Sequence, residues 1–137
     1  MVHSSYALYY AKNQIKVLNT MRDSLINNGL FLISAPSEPH EMVNFINNNY
    51  KIPKKILLTL KFYKNILVPY LKKNGRNFLS NKKLNYLKFK KYKEFLEFWK
   101  STTYYEKKYE SKIIRKLKNK KILKFKKVSA IASAIKK

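Results

Sequence analysis

Apolar positions in the N-terminal part of the chain recur at helical spacing. Leu8, Ala11, Ile15, Leu18 and Leu25 follow one another at steps of three, four or seven residues, which places them on one helical face. Ser4 or Ser5 is placed to cap the start of this segment, and "NNG" at 27–29 is a typical helix end. The pattern predicts a first helix from about Ser5 to Asn27.

The next apolar segments predict two more helices, with a strand as an open alternative in two places. "LFLIS" (30–34) is a short apolar run that fits either a buried strand or a helix–helix connection. Ser37 is placed to cap a second helix, with Pro39 in its first turn. A third helix begins at Pro53 and bends or ends at Pro69. The alternative there is a strand through "ILLTLKFY" (56–63), because that run is rich in β-branched and aromatic residues.

The longest periodic stretch runs from about Asn81 to Asn119, after a turn around Gly75. Ser80 is placed to cap it, and its apolar side is formed by Leu84, Leu87, Tyr92, Phe95, Leu96 and Trp99, continued by Tyr105, Tyr109, Ile113 and Leu117. The last ten residues, "VSAIASAIKK", are small and apolar and suggest a final helical turn. The expected fold is mostly α: a small platform of three helices, with one short strand pair as an alternative, then a long basic helix and an extended C-terminal arm.

Charge divides the chain into two parts. Among its 137 residues, 31 are Lys or Arg and seven are Asp or Glu, a formal net charge of +24. Residues 1–71 carry eight basic and three acidic residues, and residues 72–137 carry twenty-three and four. We therefore predict a compact, mainly helical part at 1–75. Residues 76–137 would form a basic, aromatic-rich helix and binding arm.

The composition also carries a bias toward Lys, Asn, Ile, Tyr and Phe, with only two Gly. An AT-rich genome explains these five residue types and weakens any argument from lysine alone. It does not explain the scarcity of Asp and Glu, whose codons also tolerate that bias. The excess of positive charge therefore calls for a functional explanation, and a polyanionic partner would relieve the self-repulsion of the chain.

No constellation of residues in the sequence points to an enzyme. There is no cysteine, and the two histidines, His3 and His40, are far apart. The closely spaced carboxylates Glu38 and Glu41 are explained by a helix N-terminus. Gly-rich phosphate loops and nucleophile motifs are missing. We expect no catalytic residue, no cofactor, no metal site and no small-molecule substrate. No apolar run is long enough for a transmembrane helix.

The distinctive segment is "KIIRKLKNKKILKFKK" (112–127), in which nine of sixteen residues are basic and none is acidic. Lys and Arg make the phosphate contacts that dominate nucleic-acid affinity, and interleaved Tyr and Phe can stack on unpaired bases. Lys outnumbers Arg 28 to 3, which favours backbone contacts over base readout. The predicted RNA-binding residues are Arg76, Lys82, Lys83, Lys88, Lys90, Lys91, Lys107, Lys108, Lys112, Arg115, Lys116, Lys118, Lys120, Lys121, Lys124, Lys126 and Lys127.

Small size, strong basicity, a compact half and a long basic arm together look like a ribosomal protein. The Lys, Asn, Tyr and Ile bias is similar to that of organellar ribosomal proteins from AT-rich protists, and this resemblance is one of composition. It implies a non-enzymatic, structural component of a ribosome that binds rRNA and neighbouring ribosomal proteins. The same resemblance in composition implies a mitochondrial matrix location. Lys12, Lys16 and Arg22 precede the first acidic residue, as in matrix-targeting helices, but this location is not inferred from them.

Two other functions remain open from the sequence. An accessory subunit of a respiratory or ATP-synthase complex would place the basic residues on anionic lipid headgroups. If 112–127 is helical, however, its cations spread around most of the circumference, which suits a phosphate-lined groove better than a flat bilayer. A DNA-packaging protein is the third possibility, and the aromatic-rich helical pattern argues against it.

Overall fold

The computed structural model describes residues 1–137 and shows an α/β protein built on one mixed sheet. The strands are β1 (Val2–Ser5), β2 (Leu30–Pro36), β3 (Gly75–Phe89) and β4 (Leu123–Lys136). The helices are α1 (Gln14–Asp23), α2 (Glu41–Asn49), α3 (Lys54–Leu60), α4 (Val68–Asn74), α5 (Tyr92–Lys100) and α6 (Glu110–Leu117). A π-helical turn, Tyr63–Leu67, joins α3 to α4, and short 3₁₀ turns cover Leu8–Tyr10 and Lys107–Tyr109.

The strands lie in the order β1-β2-β4-β3. β1 and β2 are parallel, whereas β4 is antiparallel to both β2 and β3. The long β3–β4 pair runs without a register shift from Leu79↔Ser133 to Phe89↔Leu123, and its one irregularity lies between Arg76 and Leu79. The predicted boundary at 75/76 falls after the first residue of β3, and β4, from the second part of the chain, pairs with β2 from the first part.

Two hydrophobic cores pack on opposite faces of this sheet. The first core joins Ala130, Ala132 and Ala134 of β4 to β2 and to the helical segments α1 and α4. The second joins Leu123 and Phe125 of β4 to α2, α5 and α6. Successive residues of a strand face opposite sides of the sheet, so the three even-numbered alanines point to one face and Leu123 and Phe125 point to the other. Each core therefore covers only part of one face.

The mostly α prediction, with its long basic helix and extended arm, is wrong. The stretch predicted as one helix from Asn81 to Asn119 contains most of β3, two short helices and a connection between them. "VSAIASAIKK" is β4 rather than a helical turn, and Ser80 lies within β3, where its hydroxyl bonds to that of Tyr63. The cause is non-local: β3 is exposed along most of its length and carries little alternation, so its pairing with β4 determines its conformation.

The predicted first helix is also wrong over its first half. Residues 2–5 form β1, and Tyr6 adopts a left-handed conformation (φ 54°) while its N–H donates to Ser34 O at 2.9 Å. α1 begins only after Asn13, whose side chain accepts a hydrogen bond from the N–H of Lys16. The left-handed Tyr6 and the 3₁₀ turn Leu8–Tyr10 thus replace the first two predicted helical turns.

Several other predictions are confirmed in whole or in part. "LFLIS" lies within β2, which decides between its two alternatives in favour of the strand, and α2 is the expected second helix. Its predicted start is wrong: α2 begins at Glu41, so Pro39 precedes it, and Ser37 donates its hydroxyl to Val128 O instead of capping it. Pro53 immediately precedes α3, as predicted, so the strand alternative through "ILLTLKFY" is wrong. The predicted end at Pro69 is also wrong, because α3 ends at Leu60 and Pro69 lies in the first turn of α4. Phe95 and Trp99 are buried on one face of α5, as their spacing predicts.

Candidate nucleic-acid interface

The β3–β4 pair extends beyond the end of β2 and forms a two-stranded ribbon with one open face. β2 pairing ends at Pro36↔Ser129, so residues 123–128 of β4 pair only with 84–89 of β3. The odd-numbered face of this ribbon packs on α2, α5 and α6. The even-numbered face is exposed and carries Lys88, Lys124 and Lys126, and Lys82 follows on the same face of β3 just beyond the ribbon, opposite Ala130. We call these four residues the ribbon lysines.

The ribbon lysines are brought together by the register of the ladder. Lys88 lies directly opposite Lys124, and Tyr86 lies directly opposite Lys126. Directly opposed side chains have Cβ atoms only about 4.5–5.5 Å apart, and like charges in that position are destabilising. The Lys124 ammonium lies 4.0 Å from the centroid of the Tyr86 ring, a cation–π contact.

Protein carboxylates leave the ribbon lysines unneutralised. The structure contains three ion pairs, made by Arg22, Lys100 and Lys108. Glu41 lies beside the ribbon, but its carboxylate accepts a hydrogen bond from the backbone N–H of Lys126, at 2.6 Å. The four ammonium groups therefore remain available to an external anion.

A second group of cations surrounds the C-terminal end of α6. Ile113 and Leu117 are buried against the second core, which turns the basic side of this helix outward. We call the exposed residues here the α6 cluster: Arg115, Lys116, Lys118, Lys120 and Lys121. Cations in the last turn of a helix also complement its dipole, so Arg115 and Lys116 have a structural role beside any binding role.

Three of the predicted RNA-binding residues have partners within the protein. Lys112 donates to the backbone carbonyl of Asn49 at the end of α2, and Arg76 donates to the side chain of Asn28. Lys108 pairs with Glu106 at 3.1 Å. These contacts explain the three cations structurally and set them apart from the ribbon lysines.

The remaining predicted residues lie away from the even-numbered face. Lys83 and Lys127 occupy the odd-numbered face of β3 and β4, where the Lys127 ammonium lies 5.3 Å from the Tyr6 ring. Lys90 and Lys91 are exposed in the turn before α5, and Lys107 is exposed in the short turn before α6. The predicted RNA-binding residues therefore lie in several separate patches rather than along one arm.

Most of the tyrosines that the sequence offered for base stacking are packed inside the second core. Tyr109 stacks on Tyr50 with ring centroids 4.3 Å apart, and Tyr105 meets Trp99 edge to face at 5.2 Å. Tyr104 is buried, and burial raises its pKa well above the ordinary value. Burial likewise raises the pKa of Tyr50 to about 12. These rings stabilise the fold and are not free to stack on a ligand.

Sequence reasoning missed the two exposed apolar side chains at the centre of the ribbon. Leu84 is 50% exposed and Tyr86 is 46% exposed, both between the ribbon lysines. The helical periodicity of the sequence assigned Leu84 to a buried side. Only the pairing register with β4 reveals that the two side chains share a face with four lysines.

No group of three His, Cys, Asp or Glu side chains is arranged to hold a metal ion. None of the helices combines the length and apolar character that crossing a bilayer requires, in agreement with the sequence. Comparisons of the chain with protein-family models and with curated proteins found no match.

Proposed function

We propose that this protein is a non-enzymatic, structural component of a mitochondrial ribosome that binds rRNA in the matrix beside neighbouring ribosomal proteins. The ribbon lysines and the α6 cluster are its principal phosphate contacts. The organellar part of the proposal rests on sequence composition, and the RNA-binding part rests on the arrangement of charge.

The observation that carries the proposal is the direct opposition of Lys88 and Lys124, neither of which forms an ion pair with a carboxylate. Two like charges at this distance weaken the isolated ribbon. A phosphate oxygen between them would turn that repulsion into two attractive contacts, and binding would also release counterions from the RNA.

The kind of contact follows from the side chains on the face. Lysine acts as a point charge and does not read bases bidentately as arginine does. Tyr86 presents its ring beside Lys124 and is placed to stack on an unpaired base. The expected binding mode is backbone and shape recognition of structured RNA with little sequence preference.

Sedimentation of a native extract on a density gradient, with and without RNase, tests this proposal. We expect the protein to migrate with a ribosomal subunit and to leave that fraction after RNase treatment. Migration with a detergent-solubilised membrane complex, unaffected by RNase, would contradict the proposal and favour the accessory-subunit alternative. Binding of duplex DNA in preference to structured RNA would favour the DNA-packaging alternative.

A pair of matched variants makes the test specific to the site. The ribbon variant replaces Lys82, Lys88, Lys124 and Lys126 with Gln. The control variant replaces Lys51, Lys54, Lys55 and Lys61, which are also exposed but lie outside the ribbon, with Gln. Both variants lose four positive charges. If only the ribbon variant fails to migrate with the ribosomal subunit, the RNA contact is assigned to the ribbon lysines.

A further inference from the structure

The outer edge of β3 carries a row of backbone hydrogen-bonding groups with no partner. β3 is the last strand in the sheet order, so one of its edges faces no neighbour. Apart from the bonds of the β3–β4 ladder, no backbone hydrogen bond involves residues 76–89. At fifteen residues β3 is the longest strand of the protein, and it is exposed along most of its length. Such an edge is a template for another strand.

The register identifies which residues direct their backbone groups outward. On the β2 side of β4, Val128 O accepts the N–H of Ser37 at 2.9 Å, and the N–H of Lys126 donates to Glu41. Neighbouring residues of an antiparallel strand point their backbone groups to opposite edges. Even-numbered residues of β4 therefore face β2, and odd-numbered residues bond to β3.

The same alternation then holds in β3. Its odd-numbered residues bond to β4, and the N–H and C=O groups that point outward belong to Ser80, Lys82, Leu84, Tyr86 and Lys88. These five residues offer alternating donors and acceptors along one line. A phosphate chain supplies acceptors only and would leave the carbonyls unmatched, whereas an extended peptide satisfies both kinds of group.

We propose that the outer edge of β3 binds an acidic, extended segment of a neighbouring protein, which joins the sheet as a fifth strand. Charge decides the chemistry of this partner. β3 contains Arg76, Lys82, Lys83 and Lys88 and no acidic residue, so acidic side chains on the added strand would face lysines on both sides of the sheet. Cross-strand pairs of opposite charge stabilise such pairing.

A second copy of this chain is the wrong partner for the same edge. Each copy carries +24, and edge lysines are a device by which proteins avoid pairing with themselves. Leu84 and Tyr86, both about half exposed, provide an apolar centre that the side chains of an added strand can cover. The proposed strand pairing does not depend on RNA binding, because the two peptides that test it are compared in the absence of RNA.

The test uses the full chain and a short capped peptide in which Glu and Val alternate. A Glu–Pro peptide of the same length and charge is the control, because proline cannot form a strand ladder. We expect the Glu–Val peptide to slow amide hydrogen exchange at Lys82, Leu84 and Tyr86 by about tenfold or more. The Glu–Pro peptide should leave these amides unchanged.

Two variants of Leu84 test the role of the backbone. Leu84→Pro removes one outward N–H but no bond to β4, and we expect it to weaken Glu–Val binding by about tenfold. Leu84→Thr keeps the N–H and the strand preference, and it should preserve most of the affinity. Calorimetry measures both affinities, and retained protection of the odd-numbered amides shows that each variant keeps its ladder.

Three results would overturn the inference. Equal affinity for the two peptides, with no protection of the outward amides, would mean that charge alone attracts them. Protection of the same amides by a short RNA oligonucleotide would assign the edge to nucleic acid. A stable dimer of the protein without peptide, protected at these amides, would assign the edge to self-pairing.

Discussion

His40 is a partly buried ionisable side chain near the N-terminus of α2. It lies immediately before this helix, and its Nδ1 atom has no hydrogen-bond partner. Burial, and secondarily the charge of Lys127, lowers its pKa from 6.5 to about 4. Between about pH 4 and pH 6.5 the imidazole is therefore mainly neutral in the folded chain and mainly protonated in the unfolded chain.

That difference predicts a loss of stability in mild acid. The contribution of His40 is fully present above about pH 6.5, where the imidazole is neutral in both states, and declines as the pH falls toward about 4. The full loss amounts to at most about 3 kcal/mol of the free energy of unfolding. Urea unfolding at a series of pH values measures it.

Each histidine serves as the control for the other. His40→Gln should flatten the decline between pH 6.5 and 5, where carboxylates contribute least. His3→Gln removes an exposed imidazole and should leave the decline in place. An unchanged profile in the His40 variant would contradict the assignment.

Lys88 offers a prediction that separates stability from function. Lys88→Glu converts the repulsive pair with Lys124 into an attractive one, so the free energy of unfolding should rise by about 0.2–1 kcal/mol. RNA binding should weaken in the same variant because a phosphate contact is lost and a negative charge is added. Denaturant unfolding and filter binding measure the two effects. A less stable variant would show that the two side chains are not opposed as described.

At the scale of elements, the β3–β4 pair organises the molecule because it supports a core on each side. Ala132 is fully buried against the first core, whereas the adjacent Ser133 points to the other face and is only partly covered. The two neighbouring positions therefore differ sharply in the space available to a larger side chain.

A pair of substitutions tests this alternation. Ala132→Leu forces extra methylene groups into a packed core and should lower the free energy of unfolding by about 1–3 kcal/mol. Ser133→Leu places the same side chain on the less covered face and should change stability by about 0.5 kcal/mol or less. Similar losses in both variants would refute the assignment of the two faces.

Some elements follow from local sequence and others do not. The face of α5 with Phe95 and Trp99 and the cap at Pro53 depend on residues close in sequence, and both were predictable. β3 has no such local signal: its exposed lysines and asparagines fit a helix as well as a strand. The basic character of the interface was predictable, whereas the opposition of Lys88 and Lys124 required a register between segments far apart in the chain.

At the scale of the whole molecule, charge dominates the behaviour of the isolated protein. The net charge is +24, and only three ion pairs offset it. Mutual repulsion among exposed cations opposes the compact state and weakens as salt screens it, with a Debye length of about 10 Å at 0.1 M.

The unfolding temperature should therefore rise as NaCl is added in the absence of RNA. A thermal scan at increasing NaCl concentration measures the effect, with an uncharged osmolyte as the control for general solute effects. The ribbon variant should show a smaller salt-dependent rise than the unaltered protein. A salt-independent unfolding temperature would mean that charge repulsion does not limit the fold.

The central claim is that the ribbon lysines contact RNA phosphates, and the salt dependence of RNA affinity tests it most directly. Each phosphate contact contributes about 0.7–0.9 to the slope of log affinity against log salt concentration. The ribbon variant, which lacks four lysines, should reduce this slope by about 3, and the control variant should change it by less than about 1. Equal slopes for the two variants would contradict the claim and show only a diffuse attraction between RNA and a basic protein.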